Sequence, residues 1–123
     1  MVVLQALASN QINKILKSWD KISDKEGLLE KIQSDEVLAV FKHSPRCPIS
    51  MAAKLRIEDA DKLPNEISSW IIVDVLEERP TSQWLAEYTH IEHESPQLLI
   101  FKNKKCIYHA SHLDIRPDSI PVN

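Results

Sequence analysis

The 123-residue chain predicts one α/β domain: a central mixed four-stranded sheet flanked by helices. Three observations carry this expectation. Val37-Leu38-Ala39-Val40-Phe41 and Trp70-Ile71-Ile72-Val73 are continuous apolar runs of strand length, as expected for strands covered on both faces. A helical stretch lies between them, which makes a βαβ unit with parallel strands and a right-handed crossover. Further on, Leu98-Leu99-Ile100-Phe101 and Cys106-Ile107-Tyr108-His109 flank the polar link Lys102-Asn103-Lys104-Lys105. The asparagine tolerates a left-handed backbone, so this segment closes the sheet as a hairpin.

Taken in order, residues 1–18 are an N-terminal extension and 19–123 the domain. Ile12, Ile15, Leu16 and Trp19 have helical spacing, but no glycine separates them from the next helix, and a short strand over Trp19 to Ile22 fits equally well. Ser23-Asp24-Lys25-Glu26 has the pattern of a capping box, with Leu28, Leu29 and Ile32 as the apolar face behind it. After the first strand, Pro48 to Leu55 reads as a helix with proline at its first position, where the missing N–H costs nothing. Asp74 stands at the end of the second strand, where a carboxylate either lies buried below Cys47 or simply ends the strand, the latter being preferred, and Glu77-Glu78-Arg79 reads as a solvated loop. Pro80 to Tyr88 is the next helix; Trp84, Leu85 and Tyr88 share its apolar face, and Trp70 is core. Leu113 to Ile120 contains Pro117 and makes at most a short helix.

Composition narrows the function. A chain of this size buries roughly 65 to 70% of its unfolded surface and needs no staples. The net charge of −3 and the lack of a basic stripe interleaved with aromatics argue against nucleic acid as a partner. No apolar run approaches the roughly 18 residues that span a bilayer, and the first residues lack the positive region of a signal peptide. A soluble, cytoplasmic monomer without a bound cofactor is expected. Two cysteines make neither a disulfide framework nor a paired zinc set, and both are expected reduced. His90-x-x-His93 and His109-x-x-His112 lack a second local thiol or an H-E-x-x-H context, so no metal is expected.

The chemistry concentrates on Cys47-Pro48-Ile49-Ser50, where a buried strand gives way to a helix. Thiol-disulfide exchange requires a thiolate, and an ordinary cysteine with pKa near 8.5 is only about 3% ionised at pH 7. At a helix start, Cys47 faces the unpaired N–H groups of Ile49 and Ser50 and the positive end of the helix dipole. Arg46 adds a formal charge, the Ser50 hydroxyl is expected to donate to the sulfur, and His43 is a candidate to steady it. An exposed loop role for His43 fits as well. With serine at the fourth position, a second thiol must come from elsewhere.

The order helix, strand, helix, strand, helix, hairpin resembles a thioredoxin fold, whose second hallmark is a proline opening the third core strand. Ser95-Pro96 stands there. The peptide bond before that proline is cis in the fold, while an ordinary strand-start proline remains an alternative. Together, His43-Ser44-Pro45-Arg46-Cys47-Pro48-Ile49-Ser50 and His93-Glu94-Ser95-Pro96-Gln97 resemble the paired signatures of the YtxJ-like monothiol bacilliredoxins, over about residues 19–115. The resemblance implies removal of bacillithiol, the small-thiol co-substrate, from mixed disulfides on cytoplasmic proteins, with Cys47 as nucleophile. It places His93, Glu94, Ser95 and Pro96 on the substrate-binding rim, although a loop-stabilising role fits His93 and Glu94 equally well, and a second small thiol or a reductase regenerates the site. In such a fold the third strand runs away from Cys47, which leaves Cys106 roughly 10 to 15 Å off at ~3.3 Å per residue, a packed residue and not a resolver. Two other readings stand beside this one: a glutaredoxin-like deglutathionylase, and a non-catalytic adaptor or thiol sensor. A peroxidase is disfavoured, since no Thr/Ser-x-x-Cys pattern precedes the nucleophile.

Overall fold

The structure, a computed structural model, describes residues 16, 18–22, 24–34 and 36–121. Helix α1 spans Lys25–Ile32, strand β1 Leu38–His43, helix α2 Pro48–Glu58, strand β2 Ser69–Asp74, helix α3 Arg79–Thr89, strand β3 Gln97–Lys102 and strand β4 Lys105–Ser111. Two 3-10 turns follow, His112–Asp114 and Pro117–Ser119. The sheet order is β2-β1-β3-β4, with β1 parallel to β2 and antiparallel to β3, and β3 antiparallel to β4. This is the mixed four-stranded α/β architecture that the apolar runs predict.

Strand alternation divides the core between the two faces. Ala39 and Phe41 point to one side, where Ala53 and Ile57 of α2 pack with Trp70, Ile72, Leu98 and Ile100. Leu38 and Val40 point to the other, against Leu28 and Ile32 of α1 and Leu85 of α3. Trp70 is core as expected, with Trp19 edge-on to it at 6.2 Å and stacked on Phe41 at 5.4 Å. Burying such aromatic area dominates core energetics, each favourable pair adding about 0.5–1.5 kcal/mol.

The element ends differ from the sequence reading for local reasons. The N-cap of α1 is Asp24, which accepts from Gly27 N–H at 2.8 Å and stands one residue beyond the expected Ser23. Of the two readings for Trp19 to Ile22, the extended one holds: Asp20 N–H donates to Trp70 O at 2.8 Å, and Ile72 N–H donates to Asp20 O at 3.0 Å. Ile12, Ile15 and nearly all of the 1–18 extension lie outside the described residues. Helix α2 continues three residues beyond Leu55 because Ile57 reaches the core. The hairpin link is two residues, not four, since Asn103 and Lys104 both take positive φ (53° and 68°), the twist-matched turn for adjoining strands. Glu78 is not loop: it caps α3, and its Oε1 accepts Asp74 N–H at 2.9 Å, with Arg79 the first helical residue.

Strand β1 also runs two residues past Phe41. Lys42 and His43 pair with Val73 and Asp74 of β2 and are buried. Lys42 pairs with Gln97 at the start of β3 on its other side. The loop carrying Cys47 and the turn carrying Pro96 therefore leave the same end of the sheet.

Candidate active site

Cys47 is the N-cap of α2. Its backbone is extended (φ −100°, ψ 120°), its N–H donates to Ser44 O at 3.1 Å, and its carbonyl accepts from Met51 N–H at 2.9 Å. Pro48 takes the first helical position, so the orphan donors nearest the cysteine are the N–H groups of Ile49 and Ser50. No acidic residue sits in the first turn to oppose a thiolate there. Cys47 is half-buried and free, beside the exposed Arg46 and a half-exposed Ile49.

Ser50 does not serve the sulfur as expected. Its side chain is fully buried, its Oγ accepts Ser44 N–H at 2.9 Å, and it lies 2.7 Å from His43 Nδ1. As the third residue of α2, it turns toward the sheet, where a backbone donor and a buried ring both need a partner. His43, nearly buried and stacked on Phe41 at 5.6 Å, contacts Ser50 in place of the thiol. Burial, and then the Lys54 charge, hold the His43 ring below its ordinary value against the pull of Asp74 and Glu58. A neutral ring accepts at one nitrogen, and we assign that nitrogen as Nδ1, with the Ser50 hydroxyl as donor.

Next to His43, a cavity of about 420 Å³ is lined by Trp19, Lys21, Pro45, Lys54, Asp74 and Glu78. Three of its charged groups, Asp74, Lys54 and Glu78, are engaged with side chains or backbone. Asp74 Oδ1 accepts from Leu76 and Glu77 N–H at 2.8 and 3.1 Å, the strand-end role expected of it. Lys54 pairs with Glu58 at 2.8 Å, and Glu58 accepts Trp19 Nε1–H at 2.7 Å. Burial works against the Glu58 carboxylate, but hydrogen bonds from Lys54 and Trp19 outweigh it and hold the carboxyl below its usual range.

The other half of the site comes from the loop between α3 and β3. The Ser95–Pro96 peptide bond is cis, Pro96 is buried, and Pro96 O accepts His112 N–H at 3.2 Å. Ser95 Oγ is buried without a hydrogen-bond partner among the described residues. Glu94 is paired with His112 Nδ1 at 3.3 Å. His93 is exposed, yet its Nδ1 lies 3.2 Å from Lys42 Nζ and 3.3 Å from Ser82 Oγ. Burial, and then Lys42, push the His93 ring below its ordinary value.

Lys42 is the residue that sequence reasoning missed. It is fully buried, and burial lowers its ammonium to about 8. Its signal was available: it stands two residues after Val40, on the same strand face, and extending the strand to His43 would have placed it inside. The site thus gathers Cys47, Ser50, His43, Lys42 and the 93–96 turn at one end of the sheet. Cys106 is at the other end, paired with Phe101, itself opposite Leu38 at the start of β1. Four residues of strand, roughly 13 Å, separate that level from the Lys42 and Gln97 pair. Burial raises the Cys106 thiol, against hydrogen bonds involving the Tyr108 and Ile100 backbone. Among the described residues, no group of three or more His, Cys, Asp or Glu is placed to hold a metal, and no helix is long and apolar enough to cross a membrane.

The sequence profile of the family described as monothiol bacilliredoxin BrxC matches residues 20–120. Among solved structures, one described provisionally as an oxidoreductase with a thioredoxin fold is 30% identical, with a TM-score of 0.69, over 80% of this chain and 87% of that one. A thioredoxin from Malassezia sympodialis is similar at 20% identity and a TM-score of 0.58, covering 80% and 82% of the two chains. A mitochondrial thioredoxin from Saccharomyces cerevisiae has 12% identity and a TM-score of 0.63, covering 82% and 88%. The last two share the fold alone.

Proposed function

This chain belongs to the monothiol bacilliredoxin BrxC family, and from that premise we propose that it removes bacillithiol from mixed disulfides on cytoplasmic proteins, with Cys47 as nucleophile. One observation carries the reading: a single thiol caps α2 while the hydroxyl at the fourth position is turned inward to His43, so the site has no local group to close on the sulfur. The oxidoreductase likeness of a 30% identical structure supports the reaction class.

In the reaction, the Cys47 thiolate attacks the bacillithiol sulfur of a protein mixed disulfide. The S–S bond to the protein breaks, and the protein leaves as a thiolate that takes a proton from water. Cys47 now carries bacillithiol as a new disulfide. A second bacillithiol thiolate, or a reductase thiol, attacks that adduct and returns Cys47 to the thiolate, with one disulfide consumed and one formed at each exchange. The half-exposed Ile49 and the exposed His93 border the path of the incoming disulfide, and the chain acts as a monomer with no bound cofactor.

The test is release of bacillithiol from a bacillithiolated test protein, run beside the same protein carrying glutathione. Turnover by the wild type that is lost in Cys47→Ala and kept in Cys106→Ser is expected, with bacillithiol released faster than glutathione. Faster release of glutathione would transfer the chain to the deglutathionylases. No release of either thiol would sink the catalytic reading and leave an adaptor.

A further inference from the structure

Lys42 is fully buried with no carboxylate hydrogen bonded or ion-paired to it among the described residues. Buried charge without a countercharge is costly and calls for a reason. Its Nζ lies 3.2 Å from Nδ1 of His93, two residues ahead of Ser95, and Ser82 Oγ of α3 lies 3.3 Å from the same nitrogen.

An ammonium only donates, so Nδ1 must be the acceptor and the ring proton must reside on Nε2. The Ser82 hydroxyl can donate or accept and is compatible with that tautomer, so the selection comes from Lys42. His93 is an exposed residue, and among the described residues no hydrogen bond engages its Nε2, three residues ahead of Pro96. We propose that Lys42 is a positioning residue: through Nδ1 of His93 it fixes that ring as a donor, offering Nε2–H to a carbonyl or carboxylate oxygen of the disulfide substrate. This rests on the thiol-exchange reading given above.

The charge environment agrees. His93 is faced by Lys42 from β1, by Arg79 and the Ser82 hydroxyl from α3, and by Glu94 on its own loop, and the net effect with burial is to keep the ring neutral. Lys42 is flanked in the sheet by the uncharged Val73 and Gln97. Protonating His93 would set an N–H against the Lys42 ammonium, and the contact would break. The anchor is therefore intact at neutral pH and lost on acidification.

The tautomer is read directly from long-range proton–nitrogen correlation spectra of the nitrogen-15-labelled full chain at pH 7.5. Wild-type His93 is expected in the Nε2–H form, and Lys42→Met combined with Ser82→Ala is expected to populate both forms. With a bacillithiolated test protein, Lys42→Met should raise KM about 5- to 10-fold, the size of one hydrogen bond, with kcat within about twofold. The loss should not add to that of His93→Ala, since both remove one interaction. A wild-type ring protonated on Nδ1, a tautomer unmoved by the double substitution, or additive losses would each overturn the proposal. If the wild type showed no turnover, the proposed function would fall, and the spectra would still decide whether Lys42 sets the ring.

Discussion

Ser50 Oγ and His43 Nδ1 lie 2.7 Å apart, and this hydrogen bond joins the first turn of α2 to the last residue of β1. Ser50 stands three residues after Cys47, the proposed nucleophile, where a second cysteine would stand in a two-thiol site. The serine is therefore a structural tie as well as a missing thiol.

Removing that tie has a cost. Ser50→Ala leaves Ser44 N–H and the buried His43 ring short of a partner, and a buried unsatisfied group costs about 1–3 kcal/mol. Urea unfolding should show a loss of that size. An unchanged midpoint would mean that the hydroxyl carries no stability.

The two thiols should react at different rates. Burial raises the Cys106 thiol, while Cys47 caps a helix start with free donors. Brief alkylation of the native chain at pH 7.5, mapped by mass spectrometry, should modify Cys47 well before Cys106. Equal labelling would contradict the assignment of Cys106 as a packed residue.

Stability should depend on pH through Lys42. Its ammonium is held at about 8 in the folded chain against an ordinary 10.5, so between those values the unfolded chain binds more protons and stability rises with pH. His43 and His93 are lowered as well, so their contribution is complete above about pH 6.5 and falls as the solution is acidified below it. Urea midpoints from pH 5 to 10 in wild type and Lys42→Met separate the two, since the variant should lose the alkaline gain specific to Lys42 and keep the acid loss of His43. Lys42→Met should also be more stable at pH 7, by about 1–3 kcal/mol, as an apolar replacement of a buried charge. A less stable variant would show that the ammonium is a net stabiliser.

Gly27 is the chain's single glycine and lies inside α1. Alanine usually gains about 1 kcal/mol at such a position. Here the added Cβ would meet Ile22 Cγ2 at 2.9 Å and the capping Asp24 Oδ1 at 3.1 Å. Gly27→Ala should therefore lower the melting temperature; a rise would show that the Ile22 segment moves aside freely.

Much of this arrangement was legible in the sequence because it rests on unbroken apolar runs and on prolines with few permitted places. Val37 to Phe41, Trp70 to Val73, Pro48 at a helix start and Pro96 before β3 each point to one structure. What escaped depends on exceptions to burial. Lysine and histidine are rarely core residues, so β1 reads as ending at Phe41 although Lys42 and His43 continue it. The inward turn of Ser50 was hidden for a related reason: a hydroxyl near a cysteine suggests a bond to sulfur, whereas the buried His43 ring and the Ser44 N–H both engage it. The tight link at Asn103 and Lys104 depends on a lysine in the left-handed region, which side-chain type alone disfavours.

The edges of the sheet carry a consequence for how the protein behaves at high concentration. On the β2 side, Asp20 already occupies backbone groups of Trp70 and Ile72. On the β4 side, the register slips opposite Ile100 and Phe101, and Lys104 and Lys105 mark the entry to the strand. A slipped register and charged flanks discourage edge-to-edge joining of one sheet to another. The half-buried Cys47 thus lies at one end of a sheet whose borders resist the strand stacking that seeds fibrils.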